Sequence, residues 1–176
     1  MSTQVLTGDA TTTTTGPATT GDIHGPKEST RFDDGSLLIR ANTLKWTPWA
    51  MEGTYFKLLY INRGQNIYSV LLKIDPNVET PDHHHFGEAH ALIIEGNFTY
   101  EYGTMYKGDA IVEAGGINHA ATIGSEGALL YVMFFSGICG VGEKGEPVGD
   151  VVDCEWMYRA ALANGAADHL PPPPRQ

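Results

Sequence analysis

Seven histidines occur in the chain, and four of them, His83, His84, His85 and His90, fall between positions 83 and 90. On a β-strand, residues i and i+2 project from the same face, so His83 and His85 converge on one point while His84 turns away. Two imidazoles placed in this way can bind a divalent transition metal, and a third from elsewhere in the chain leaves positions open for reactive ligands. His119 is a third candidate, in the spacing Gly108-x5-Ala114-x-Gly116-x2-His119. Imidazole suits zinc, copper, iron and nickel alike, so the residue types leave the ion open. A solvated histidine-rich loop is the alternative reading of the run.

Such residues need a rigid scaffold, and the rest of the sequence reads mainly as strands. The 176 residues, 41% of them hydrophobic, suffice for one domain with its own core. Runs rich in Leu, Ile, Val and Tyr cover 36–40, 54–62 and 67–74. In the third, Val70, Leu72 and Ile74 alternate with Ser69, Leu71 and Lys73, the period of a pleated strand. Arg63-Gly64-Gln65-Asn66 and Asp75-Pro76-Asn77 supply turns between the runs. Further strands are expected at 89–95, 98–102, 110–113, 120–123 and 128–135. Many short strands with glycine-rich turns predict an all-β sandwich or barrel. One helix is predicted over 152–163, with Cys154, Met157 and Ala161 on one stripe and Asn164-Gly165 as its stop.

Composition narrows the partners. A net charge of −10 argues against nucleic acid and anionic membrane surfaces. No apolar run approaches the ~20 residues needed to span a bilayer. Only Cys139 and Cys154 are present, too few for a disulfide scaffold, which points to a reducing cytoplasm. The Thr-rich segment 1–30 reads as a disordered arm, 31–170 as the folded domain and 171–176 as a proline-rich tail. Exposed strand edges favour a homodimer.

The blocks His83-His84-His85-Phe86-Gly87-Glu88 and Gly108 to His119, in this order, resemble the two sequence motifs of the cupin superfamily. The resemblance implies a double-stranded β-helix, that is a jelly-roll sandwich, here with a short C-terminal helix. It implies that 31–170 is a cupin domain and that His83, His85 and His119 are metal ligands lining its interior. Ala114 replaces the usual proline, and Ala89 stands where the superfamily carries its usual fourth ligand, a glutamate. Glu88, His90 and Glu101 are candidates for that role, and a site of three histidines without a carboxylate is another solution. Glu101 is the preferred fourth ligand, on a strand expected to run beside the site.

The order His83, His85, Gly87, His90, followed by Glu95-Gly96, looks like one branch of the superfamily. That branch contains 2,4'-dihydroxyacetophenone dioxygenase and overlaps with acetylacetone-cleaving dioxygenases and the cupin domains of anti-sigma factors. Trp46-Thr47-Pro48-Trp49 with Gly53, and Gly149-Asp150-Val151-Val152 before a helix carrying Tyr158-Arg159, extend the likeness over about 46–170. Membership would imply a non-heme Fe(II) dioxygenase that uses O2 to cleave a C–C bond next to a ketone. Its substrate would be a 2,4'-dihydroxyacetophenone-type α-hydroxy ketone or a diketone, and its products carboxylic acids. His90 and Glu101 are the candidate catalytic bases. Trp46, Trp49, Tyr60, Phe98, Tyr100, Tyr131 and Phe134 are candidates for an apolar substrate pocket or for plain core packing. The alternative is a non-oxidative metal-dependent lyase or isomerase acting through an enolate, with zinc or nickel as its ion. The 30 residues before Arg31 are too short and polar for the partner-binding helical domain of an anti-sigma factor.

Overall fold

A computed structural model describes residues 26–174. Thirteen strands and one helix follow in order. They are β1 (Thr30–Arg31), β2 (Leu37–Leu38), β3 (Thr47–Pro48), β4 (Thr54–Asn62), β5 (Ile67–Ile74), β6 (His83–His85) and β7 (Ala89–Tyr100). Then come β8 (Gly103–Tyr106), β9 (Ala110–Glu113), β10 (Asn118–His119), β11 (Thr122–Phe134), β12 (Ile138–Val141), β13 (Pro147–Val152) and α1 (Cys154–Ala163). A seven-stranded sheet runs β3-β4-β5-β11-β7-β8, with β9 also pairing β7. A four-stranded sheet runs β10-β6-β12-β13, and every pairing is antiparallel. This is the predicted all-β sandwich.

Alternation explains how the large sheet makes a core. Val70, Leu72 and Ile74 of β5 are buried, as are Leu130, Val132 and Phe134 of β11 and Ala89, Ala91 and Ile93 of β7. One face of each strand therefore points inward with a period of two. The other face of β4 is covered as well. Lys57 is buried there, its Nζ donating to the Ala41 carbonyl at 2.8 Å and lying over the Trp46 ring. The segment before β3 thus forms a flap across the sheet. Expected strand 36–40 is reduced to Leu37–Leu38, which pairs with Thr30–Arg31 before a short 3-10 turn at Ala41–Thr43.

Two expected breaks in the chain prove to be bends inside long strands. Segment 89–95 and residues 98–100 of the next belong to one twelve-residue strand, β7, and residues 122–123 and 128–134 of the other two belong to β11. The register against β7 shifts between Ile123↔Phe98 and Ala128↔Gly96, so β11 bulges there. Gly96 sits at φ +72, and a Cβ on it would stand 1.9 Å from the Gly127 carbonyl oxygen. The backbone crossing admits no side chain. Gly96→Ala is therefore expected to cost at least ~3 kcal/mol, combining left-handed strain with a backbone clash. Thermal unfolding should show it as a fall of roughly 10 °C; an unchanged midpoint would mean that the bulge adapts.

Helix α1 starts where Asp153 caps it, accepting from the amides of Glu155 at 3.1 Å and Trp156 at 2.9 Å. It ends at Asn164 before Gly165, which adopts φ +63. Its buried stripe of Cys154, Met157, Tyr158 and Ala161 packs on the sandwich, where the Trp49 indole N–H reaches the Met157 sulfur at 3.2 Å. Both cysteines are free and buried. The first 25 residues of the expected arm, and the last two of the proline tail, lie outside the described residues. Of the remainder, Ser29 accepts from the Arg40 amide and the Pro171 carbonyl from Arg63. No helix among the described residues is long and apolar enough to cross a membrane.

Candidate metal centre

Strand β6 is only three residues long, and all three are histidines. The pleat sends His83 and His85 to the buried side, leaving His83 at 9% and His85 at 1% exposure. His84 points the other way, its Nδ1 2.7 Å from Asn118 Oδ1 and its ring against Phe86. β10 lies beside β6 in a register that pairs His119 with His83 and Asn118 with His84. One cross-strand pairing therefore brings the third imidazole to the first two. The turn before it is tied down by the Gly116 amide, which donates to the His85 carbonyl at 2.7 Å.

The three rings form a buried group whose ligand atoms lie within 4.8 Å of one another, able to hold a metal ion. Nε2 of His85 and Nε2 of His119 are 3.0 Å apart. Two nitrogens bound to one ion at ~2.1 Å stand ~3.0 Å apart at a right angle, so the spacing fits a shared metal. His83 Nδ1 lies 3.0 Å from the Pro81 carbonyl, which can only accept, so this nitrogen carries the proton. That tautomer leaves His83 Nε2 with a free lone pair, as a ligand requires. The Nδ1 atoms of His85 and His119 are buried without a hydrogen-bond partner among the described residues.

Burial sets the charge state of the group. It depresses the His85 pKa to about 3, helped by His83, His119 and His84, and that of His119 to about 4, helped by His83. His83 is also lowered by burial, against the opposing pull of the Pro81 carbonyl. Three neutral imidazoles with lone pairs available are the protonation state that metal binding needs.

A fourth buried polar group stands beside them, and it is Glu113. Its Oε1 lies 3.5 Å from His119 Nε2 and its Oε2 3.7 Å from His85 Nε2. Burial pushes its carboxyl up to about 7. In the sequence it reads only as the last residue of the expected strand 110–113. The available signal was the alternation of β9, in which Ile111 and Glu113 share the inward face between exposed Ala110 and Val112.

The preferred carboxylate is placed elsewhere. Glu101 is exposed in the turn after β7, beside the Tyr102 hydroxyl, and stands outside the histidine group. Strand β7 ends one residue before it, at Tyr100, so no strand carries Glu101 to the cluster. His90 and Glu88 pair with each other at 3.1 Å on the outer surface, with side chains 44% and 59% exposed. His90 follows Ala89 by one residue, so the pleat that buries Ala89 turns His90 outward.

The histidines and Glu113 open onto a cavity of about 60 Å³. Of the seven aromatic candidates, Trp49, Phe98 and Phe134 line it. Tyr100 packs edge-on against the His119 ring at 5.4 Å, whereas Tyr60 is exposed. The other described lining residues are mainly aliphatic, joined by Thr54 and Thr80, with no Lys or Arg among them. Arg40 instead donates to the Pro26 carbonyl, and Arg63 is engaged by Glu155 beneath the Tyr158 ring.

The fold and these motifs have known relatives. The family of ChrR cupin-like domains matches residues 34–136, more than half of the chain. Among solved structures, a candidate acetylacetone dioxygenase from Methylibium petroleiphilum PM1 superposes with TM-score 0.64 at 18% identity, over 70% of this chain and 92% of that one. An RmlC-like cupin from Ralstonia eutropha JMP134 gives 0.64 at 19%, covering 76% and 88%. An acetylacetone dioxygenase from Acinetobacter johnsonii gives 0.61 at 17%, covering 83% and 98%. No curated protein matches the sequence. At these identities the superpositions establish the fold alone, while the matched region holds β6, β9, β10 and the whole cluster they carry. The chain belongs to the ChrR cupin-like family.

Proposed function

We propose that this protein is a metal-dependent cupin dioxygenase, binding Fe(II) through His83, His85 and His119 and cleaving a C–C bond next to a ketone. The observation that carries the reading is three buried imidazoles facing a cavity that holds no cationic side chain among its described lining residues. When bound, the iron supplies a centre that two substrate oxygens can chelate and at which O2 is activated. For an α-hydroxy ketone the reaction balances as R–CO–CH2OH plus O2 giving R–COOH plus HCOOH, with both oxygen atoms entering the acids.

The chain's own residues bind and orient. Phe98, Leu130, Val132 and Phe134 form apolar walls that favour the carbon end of a ketone and exclude water. A carboxylate substrate would find no Lys or Arg among them to balance its charge. A small α-hydroxy ketone or a short diketone is the substrate class this reading assigns to the cavity of about 60 Å³. The names of two matched folds, acetylacetone dioxygenase, accord with a small ketone.

The test is metal analysis of protein purified without added ions, combined with oxygen-electrode assays on small α-hydroxy ketones and 1,3-diketones. Iron with substrate-dependent oxygen uptake is the expected result. Turnover of the same substrates without oxygen, on zinc or nickel, would replace it with the lyase or isomerase reading. The two free, buried thiols accord with a reducing cytoplasm. Homodimerisation belongs to the same reading, supported by the open edge strand β13; light scattering should then give twice 19.0 kDa.

A further inference from the structure

Glu113 is a buried carboxylate without a conventional partner. Among the described residues no Lys, Arg, hydroxyl or backbone amide hydrogen-bonds to it, and its nearest polar atoms are the Nε2 atoms of His119 and His85. Each carboxylate oxygen faces a different ring, so the group straddles the space on which the imidazoles converge. A buried carboxylate is costly unless a proton or a cation compensates it.

Its placement is enforced by the fold. On the β7–β9 pair Glu113 lies directly opposite Ala89, and both point inward. Ala89 is wholly buried and presents only a methyl group, which leaves room for a longer side chain arriving from the neighbouring strand. Just beyond Glu113 the chain is pressed onto the strand-entry loop: a Cβ on Gly115 would stand 3.1 Å from Gly87 Cα, and the Gly116 amide bonds the His85 carbonyl. Glu113 is therefore anchored to the same short loop and strand that carry the histidines.

We propose that Glu113 is a fourth protein donor to the cation, its carboxylate delivered from β9 across the strand pair into the space left open by Ala89. This rests on the metal-binding part of the proposed function. Its consequence is electrostatic. A divalent ion held by three neutral imidazoles and one carboxylate keeps a single positive charge, which suits a singly deprotonated ketone as the incoming ligand.

The experiment uses Co(II) alone as the probe, titrated into the full chain and followed by affinity and by the visible absorption of the bound ion. Glu113→Gln preserves volume and removes the charge, and Ala89→Glu with Glu113→Ala moves the carboxylate to the facing strand. Wild type should bind one Co(II). E113Q should bind it at least ~10-fold more weakly with an altered visible spectrum, and the double variant should recover much of both. Unchanged affinity and spectrum in E113Q would overturn the proposal. So would weaker binding with an unchanged spectrum, because Glu113 would then act only by positioning the histidines. Circular dichroism of each metal-free variant identifies a chain that fails to fold, and E113Q alone decides the matter should the double variant do so. Failure of the wild-type chain to bind cobalt would instead remove the metal site itself, a different result from loss of the fourth donor.

Discussion

His119→Ala should lower the affinity for divalent transition metals by at least ~1,000-fold, beyond the ~10–100-fold lost when an outer partner of a ligand is removed. The reason is that, among the described residues, the His119 side chain makes no hydrogen bond outside the cluster, and beyond it only packs against Tyr100. Its Nδ1 is buried without a partner among the described residues, and its Nε2 faces His85 Nε2 at 3.0 Å. Alanine there removes a ligand, leaves a small void, and breaks no hydrogen bond outside the cluster. The metal-free variant should consequently fold and pair β10 with β6 through the backbone as before. A competition titration with a chromophoric chelator measures the loss. His90→Ala and Glu101→Gln serve as controls, since both side chains lie outside the buried group, and their affinities should match wild type within about twofold. If H119A retained full affinity, no three-histidine centre could be maintained.

The second large effect concerns acid. In the folded, metal-free chain His85 titrates at about 3 and His119 at about 4, against 6.5 for a free histidine. Unfolding therefore takes up protons as soon as the pH falls below 6.5. The stability these residues permit is complete above that pH and is lost progressively towards pH 4. Glu113 has the opposite sign. Its carboxyl, pushed by burial from 4.5 to about 7, stays protonated longer in the folded chain, so its contribution is complete below pH 4.5 and lost as pH rises to 7. His85 and His119 against one carboxyl leave a net uptake of about one proton on unfolding between pH 6.5 and 4.5, and more below, and His83, also lowered by burial, adds in the same direction. At ~1.4 kcal/mol per proton and pH unit the loss by pH 4 is on the order of 4 kcal/mol. That is a large share of the ~5–15 kcal/mol that holds a domain together.

Denaturant midpoints at pH 7 and pH 4 measure the loss, and H119A isolates the histidine share, because its stability should fall less steeply with acid. Saturating metal adds a second lever: at 1,000 times its dissociation constant a ligand stabilises the folded state by ~4 kcal/mol. Its protection should fade as protons compete for the same nitrogens. A midpoint that ignored pH over this range, with and without metal, would show that the imidazoles are not buried as a neutral group.

Much of the fold was legible along the chain. Strands β4 and β5 fall on the residues expected, because their alternation and the turns after them are local features. Helix α1 begins two residues later than expected, at Cys154, because the cap is Asp153 and Val152 still belongs to β13. The breaks expected at Gly96 and before Ala128 were misread for a physical reason. A glycine in a strand reads as a stop, whereas here Gly96 permits a backbone crossing that needs no end of pairing. The flap over β4 was also invisible, since burial of Lys57 depends on a contact with Ala41, sixteen positions away.

By itself the sequence determined which side chains can share a face. A spacing of two puts His83 and His85 on one side and His84 on the other wherever the strand lies, because the pleat is a property of the backbone. Which carboxylate joins them was decided only by tertiary structure. Glu88, His90 and Glu101 are near in sequence or near in expectation, yet the pleat and the end of β7 turn them outward. Glu113, 28 positions after His85, arrives through the register of β9 on β7 and the turn that carries β10 back to β6. The alternation of β9 turns Glu113 inward, but which residues it then faces depends on register between strands, which the packing of the whole sandwich sets.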